Sequence, residues 1–425
     1  MTVEPAIARV LKEVTRERLA EAVCGMVDIP SPTGSEAPVA GWIAERLAEA
    51  GVPARLQHLD DRQANAVGTL PGAAGGPSVL LYAPLDTFTT GDPALDLPWA
   101  GPAMRTDMLP RSAVLGELVQ GLGAGNPKGH AACVLVLLTA LARAGVEPPG
   151  DVVGGFGAGG MPSFAVDGAA RGRRNTGHGV GASFLLERGF TTDYAVIAKP
   201  GWGVSHEEVG LVWLDVLVPG IHTYAGSRHR LPYRNAVARA GAVAQHLEEW
   251  LDRYAARHEH GTMRPQGVVS SVAGGFERLA AATPALVRLR LDLRLTTRQT
   301  PAGVTREVRD ECRRIGADLR VEQVAAIPAS HTPPSSPIVR AAVAAWEAVA
   351  GEPHLPIRAN SGATDANILR MRGVPTARVG MPKVTAAPGG GPIDFTLGMN
   401  LVDLREMRRL VEVLARTVLG VADGG

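Results

Sequence analysis

Along the first two hundred residues, short apolar runs alternate with longer stretches whose apolar positions recur at helical spacing. The runs 78–82, 151–156 and 194–197 predict strands, and 131–143, apolar on nearly every side, predicts a buried helix between the first two. Strand and helix alternating in this way imply a sheet covered on both faces, with ligands gathering at the carboxyl ends of its strands. The segments just past those ends read APLDT, GAGGMPS and AKPGW.

From about residue 208 the pattern changes to strand (211–218), helix (235–257), strand (268–272), strand (285–295), helix (302–315) and strand (319–324). Leu289, Leu291, Leu293 and Leu295 alternate with Arg288, Arg290, Asp292 and Arg294, the pattern of a sheet with one buried and one polar face. These pieces predict a ferredoxin-like βαββαβ module, 208–324, inserted into an α/β domain made of 1–207 and 325–425. After a Pro-rich hinge at 327–337, a helix over 338–350 and a last helix from about Leu401 are expected, and the Gly-rich stretches near 71–77 and 387–392 read as surface loops.

A length of 425 residues suits two such domains, and 45% apolar with 20% charged residues is the composition of a globular protein. The formal net charge of +1 gives no electrostatic reason to expect nucleic acid or a membrane surface as partner. The longest apolar run, 131–142, is shorter than the roughly 20 residues a bilayer requires. The amino-terminal segment has no apolar signal core, so a cytoplasmic protein is expected. Cys24, Cys133 and Cys312 are odd in number and lack CxxC spacing, which points to buried thiols and neither a disulfide framework nor a zinc knuckle. Lysine occurs only at Lys12, Lys128, Lys199 and Lys383.

The motifs at the strand ends carry a resemblance. DIPSPTGSE (28–36), APLDT (83–87), GLGAGNPKG (121–129), AKPGW (198–202) and SGATD (361–365) make the chain similar, over nearly its whole length, to the zinc exopeptidases and deacylases that include acetylornithine deacetylase, succinyl-diaminopimelate desuccinylase, aminoacylase and carboxypeptidase G. The resemblance implies an α/β catalytic domain with a central mixed sheet, two zinc ions at the strand ends, and an inserted lid that dimerises and supplies a histidine. It also shows where this chain departs. Pro84 stands where the family has its first histidine ligand, Asn126 where it has the bridging aspartate, and Gly160 and Met161 where it has the general-base and ligand glutamates. Lys199 stands in place of the next acidic ligand, and Thr396 in place of the last histidine.

Zinc takes neutral imidazole, carboxylate or thiolate donors, usually three or four per ion. Proline, an amide, a thioether, a hydroxyl and an ammonium do not assemble two such sites, and the positive charge of Lys199 repels a dication. No metal ligands and no cofactor are therefore expected. The frames themselves persist in Asp86, Lys128, Pro200 and Asp365. Lone His130 and His206 are read as structural or solvent-facing.

What replaces the metal pair suggests a small-molecule site. Asp86 and Lys199 are the catalytic candidates, with Tyr224 at the position of the family's lid histidine and His222 two residues before it. Asn126, Lys128, Met161, Trp202, Arg228, Ser361 and Thr364 are candidate substrate contacts. A lysine beside a carboxylate keeps its charge, whereas one without such a partner becomes a base or an imine-forming nucleophile. The expected activity is metal-independent acid–base or imine chemistry on a small amino-acid-derived substrate, including condensation or cyclisation of the Pictet–Spengler kind in natural product biosynthesis. A non-catalytic relative that binds a ligand or partner remains open, as does a metal-free amide hydrolase. A homodimer formed through the lid is implied by the resemblance.

Overall fold

A computed structural model describes residues 3–166, 173 and 176–421. They divide into two compact units. The first comprises the amino-terminal stretch through His206 together with Thr332–Pro356 and the part from Thr364 onward, and the second comprises Glu207–His331 and Ile357–Ala363.

The first unit begins with the helices Val3–Glu13, Arg16–Val27 and Ala37–Glu49, then the antiparallel pair β1 (Ala54–His58) and β2 (Ala64–Leu70). β3 (Val79–Pro84) follows and is buried along its whole length. A small hairpin, β4 (Ala113–Leu115) and β5 (Leu118–Gln120), precedes the helix Gly129–Arg143, β6 (Val152–Gly157) and β7 (Tyr194–Ser205). In the second unit lie β8 (Glu207–Glu208), β9 (Gly210–Pro219), β10 (Gly267–Ala273), β11 (Leu286–Leu295), β12 (Arg320–Ile327) and β13 (Ser330–His331). The first unit resumes with the helix Pro337–Ala350, β14 (Thr376–Gly380), β15 (Leu401–Asp403) and the helix Leu404–Gly420.

The main sheet of the first unit has the order β1-β2-β6-β3-β7-β14. β3 runs parallel to both its neighbours and β14 parallel to β7, while β1 and β2 run antiparallel. This is the central mixed sheet that the resemblance implies. Helix Gly129–Arg143 is buried through thirteen consecutive residues, Gly129 to Leu141, which explains why its sequence is apolar on all sides and carries no amphipathic stripe. It packs with Val10, Val23, Leu47, Leu410 and Leu414 in one continuous core.

In the second unit, β9, β10, β11 and β12 form an antiparallel sheet in the order β10-β11-β9-β12. The helices Ala236–His258 and Pro301–Ile315 bury Leu247, Trp250, Val304 and Val308 against Leu289, Leu291, Leu293 and Leu295. The order and connections are those of a ferredoxin-like βαββαβ module, and the leucine face is the buried one.

The carboxyl-terminal region departs from the sequence expectation. The last helix begins at Leu404, three residues later than expected, because Leu401–Asp403 instead pairs with Leu118–Gln120 as a strand. Asp403 then caps the helix, its side chain accepting from the Arg405 N–H at 2.9 Å. A short helix, Phe395–Met399, stands just before that strand. No described helix is long and apolar enough to cross a membrane.

Candidate functional site

The carboxyl ends of β3 and β6 lie beside the middle of β7 in the first unit, so that the loops leaving β3 and β6 bring Asp86 and Met161, and β7 itself brings Lys199, to one end of the sheet. Asp86, two residues past β3, is fully buried. One carboxylate oxygen accepts from the Gly160 N–H at 2.8 Å, the other accepts from the Thr33 hydroxyl at 2.7 Å, and the Met161 N–H lies 3.1–3.2 Å from both. Burial pushes the Asp86 carboxyl upward, while these donors and the nearby Lys199 charge pull it back down.

Glu36 is the second acid of this region. It is buried, and its Oε1 accepts from the N–H of Gly34 at 3.0 Å, the N–H of Gly159 at 2.9 Å and the Gln63 amide at 3.3 Å. Its Oε2 has no partner among the described residues. Burial and then the Asp86 charge push its carboxyl up to about 8. Asn65 completes the arrangement by accepting from the Ala158 N–H at 2.9 Å. Four successive backbone N–H groups, those of residues 158 to 161, are thus each held by a buried side-chain oxygen. Asp365 and the Tyr82 hydroxyl lie beside this loop. Burial, reinforced by Asp365, Asp86 and Glu36, holds the Tyr82 phenol well above its ordinary value.

The loop is also closed by packing. A Cβ on Gly160 would overlap the Pro84 Cβ and stand 2.6 Å from an Asp365 carboxylate oxygen. Pro84 is buried, and so is Met161.

Lys199 comes from an irregular stretch of β7, where Gly201 and Gly203 adopt φ of +126° and +145° and the pairing with β14 shifts register. The strand approaches β14 so closely that any side chain at Gly380 would overlap the Lys199 carbonyl. The Lys199 side chain is nearly buried, and its Nζ donates to Asn126 Oδ1 at 3.4 Å. Asn126 Nδ2 in turn lies 3.5 Å from the Met399 sulfur. A small pocket opens here, lined by Asn126, His130, Pro200, Met381 and Met399. His130 is buried and accepts from the Met381 N–H at 3.4 Å. Burial, aided by the Lys199 and Arg378 charges, pushes its pKa down to about 3, so it is a neutral imidazole.

Other expected contacts face elsewhere. Lys128 is buried with its Nζ donating to the Ile29 carbonyl at 2.8 Å, and burial pushes its pKa down to about 7. Trp202 packs on Trp346 at 5.4 Å between ring centroids, with the Arg409 guanidinium 4.2 Å above its ring. Thr364 Oγ1 accepts from the Ala366 N–H at 3.2 Å. Thr396 donates to the Ala100 carbonyl at 3.4 Å.

Tyr224, His222, Arg228 and Ser361 belong to the second unit. Tyr224 is 60% exposed, and His222 bonds the Thr283 carbonyl through Nδ1 at 2.8 Å. The Arg228 guanidinium lies 4.3 Å above the Tyr233 ring, and the Ser361 hydroxyl donates to the Arg264 carbonyl. The residues that sequence reasoning did not single out are Thr33 and Glu36. Both lie within DIPSPTGSE, but only the return of the loop after β6 reveals what they hold.

Solved structures share this fold. The dipeptidase Dug1p of Saccharomyces cerevisiae aligns over 99% of both chains with a TM-score of 0.73 and 12% identity. Human carnosine dipeptidase 1 aligns over 99% of both chains with a TM-score of 0.69 and 14% identity. A dinuclear metal-binding peptidase of the M20 family from Bacillus subtilis aligns over 95% of this chain and 97% of its own, with a TM-score of 0.60 and 13% identity. At these identities the likeness is one of fold. No family model matches the chain.

A pair of zinc ions does not suit the side chains gathered here. Among the described residues no three His, Cys, Asp or Glu side chains form a group able to hold a metal ion. Asp86 already spends both oxygens on Thr33 and the 160–161 backbone, Pro84 fills the space a side chain at 160 would need, and Lys199 brings an ammonium into the same end of the sheet.

Proposed function

We propose that this chain is a metal-independent enzyme on a peptidase-like scaffold, acting on a small amino-acid-derived substrate by acid–base or imine chemistry. The observation that carries this reading is the nearly buried Lys199, aimed at Asn126 beside a small pocket at the strand ends. Lys199 supplies the mobile proton or the amine, and the neutral His130 adds no competing charge. Asp86 acts from a distance, as a buried carboxyl that fixes the 160–161 loop and balances the Lys199 charge. Condensation of an amine with a carbonyl compound, releasing water and followed by ring closure, suits such a site because it needs proton transfer and no Lewis acid. Within this proposal Tyr224 and His222 stay candidate residues of the second unit, which carries the contacts of a homodimer.

The engagement of both Asp86 oxygens favours a second reading, in which the scaffold binds a ligand without transforming it. One comparison separates the two. Lys199→Ala is expected to abolish turnover of amine and carbonyl substrate pairs while the far-ultraviolet circular dichroism stays unchanged. Turnover unaffected by the substitution removes Lys199 from the mechanism, and ligand binding without turnover in the unmodified protein supports the second reading. Elemental analysis of the purified chain is expected to find clearly less than one zinc per chain, and chelation is expected to leave activity intact. A tightly held stoichiometric metal pair would falsify the proposal.

A further inference from the structure

The helix Phe395–Met399 links the pocket to the surface. Its last residue, Met399, receives the Asn126 amide, and its first, Phe395, is four positions earlier, on the same side and about 6 Å along the axis. Phe395 stacks on Phe88, with ring centroids 5.9 Å apart and planes at 30°. Phe88 itself is two residues past Asp86. Both members of this aromatic pair are therefore within one helical turn or two residues of side chains already placed at the strand ends.

The pair is held in place, yet it is left open to water. Asp394 caps the helix, accepting from the Leu397 N–H at 2.7 Å, and pairs with Arg105 at 2.6 Å. Arg105 also grips the buried Asp107 at 2.8 Å, and Thr396 bonds the Ala100 carbonyl. Despite this framework, Phe88 is 40% exposed and Phe395 69%. The two stacked rings, on segments joined by the Arg105–Asp394 ion pair, form an apolar surface that the described residues leave partly exposed. Such a surface near the Lys199–Asn126 pair suits a ligand with an aryl group and a polar head, because aromatic faces gain from offset stacking as well as from leaving water.

We infer that Phe88 and Phe395 form an aryl-binding clamp, so that the ligand held at Lys199 and Asn126 is an aromatic amino acid or a close derivative. This rests on the proposed function and names its substrate class. The surfaces expected from sequence to pack an aromatic ligand, Pro84, Met161 and Trp202, are instead buried or stacked within the fold.

Calorimetric titration of the full chain with L-tryptophan and with L-leucine tests the clamp. Tryptophan is expected to bind at least tenfold tighter than leucine, about 1.4 kcal/mol. Phe88→Ala and Phe395→Ala are each expected to shrink that ratio to about twofold or less, while Phe395→Tyr, which keeps the ring, preserves it. Equal affinities in the unmodified protein overturn the clamp, as does a ratio that both alanine variants leave unchanged. Lys199→Ala separates the two ideas. If it weakens both amino acids alike and keeps the ratio, both stand; if it weakens neither, the proposed function fails while the clamp survives. A chain that binds neither amino acid overturns both. If Phe395→Ala lowers the sedimenting mass and leaves the ratio unchanged, a second copy covers the patch and the clamp is overturned.

Discussion

The two sides of the strand-end site are built differently. On the side of β3 and β6, the acids are occupied: Asp86 and Glu36 grip the backbone of 159–161, and Pro84 packs on Gly160 with no room for a side chain. On the side of β7, Lys199 reaches the Asn126 amide over 3.4 Å, and that amide rests on a methionine sulfur. The first side is a scaffold in which Asp86 and one oxygen of Glu36 hold a loop. The second sets looser polar contacts beside a pocket. The two acids thus have a structural use in holding this loop.

The contrast breaks most decisively at Asp86. Asp86→Ala strands two backbone N–H groups and a hydroxyl in the interior, each costing about 1–3 kcal/mol, so a loss of about 3–5 kcal/mol in denaturant unfolding is expected. Lys199→Met, which keeps the apolar stem, is expected to remove function with a smaller loss of stability than Asp86→Ala, because Asp86 holds two backbone N–H groups and a hydroxyl in the interior. Equal destabilisation by the two substitutions would erase the distinction between scaffold and working side.

How much of this was legible in the chain depended on whether a signal was local. The leucine–arginine alternation of 288–295 reports a one-faced sheet from within ten residues, and the all-round apolar 131–143 reports a buried helix in the same way. β1 escaped because ARLQH lies at a sheet edge with most of its side chains outward, leaving no alternation to read. β15 escaped because Leu401–Asp403 suits a strand or a helix equally, and its pairing with residues almost three hundred positions earlier decides. The motif frames carry Asp86, Asn126 and Lys199, which lie toward one end of the sheet, but no local signal says what they hold there. Glu36 was visible as a letter within DIPSPTGSE but not as a partner of Gly159, because that bond spans 123 residues.

A smaller effect is expected where packing alone closes the site. Gly160→Ala places a Cβ against Pro84 and is expected to cost about 1–3 kcal/mol through overpacking. Pro84→Gly in the same chain is expected to return part of that loss, since it removes one of the two obstacles and leaves Asp365. A double-mutant cycle measures the coupling, and strict additivity would mean that the two positions are not fitted to each other. Gly160→Glu is accordingly expected to destabilise the chain and not to create a zinc site.

The gentlest probe is pH, and it bears on which acid holds the proton. Glu36 has a folded pKa of about 8 against an unfolded value near 4.5, so between those limits the folded state binds more protons than the unfolded one. Stability contributed by Glu36 is therefore full below about pH 4.5 and falls as pH rises toward 8, with a slope of at most one proton, about 1.4 kcal/mol per pH unit. Lys128 works in the opposite sense over a higher window. With a folded value of about 7 against 10.5, its folded form sheds its proton first, and stability rises with pH between those limits. Glu36→Gln keeps an oxygen for the N–H groups of Gly34 and Gly159 and cannot ionise. Unfolding measured from pH 5 to 7, below the Lys128 window, is then expected to show a flatter pH dependence in the variant than in the parent. Parallel curves would place the shared proton on Asp86 instead, and would move that carboxyl from the scaffold side of the comparison to the side where chemistry is possible.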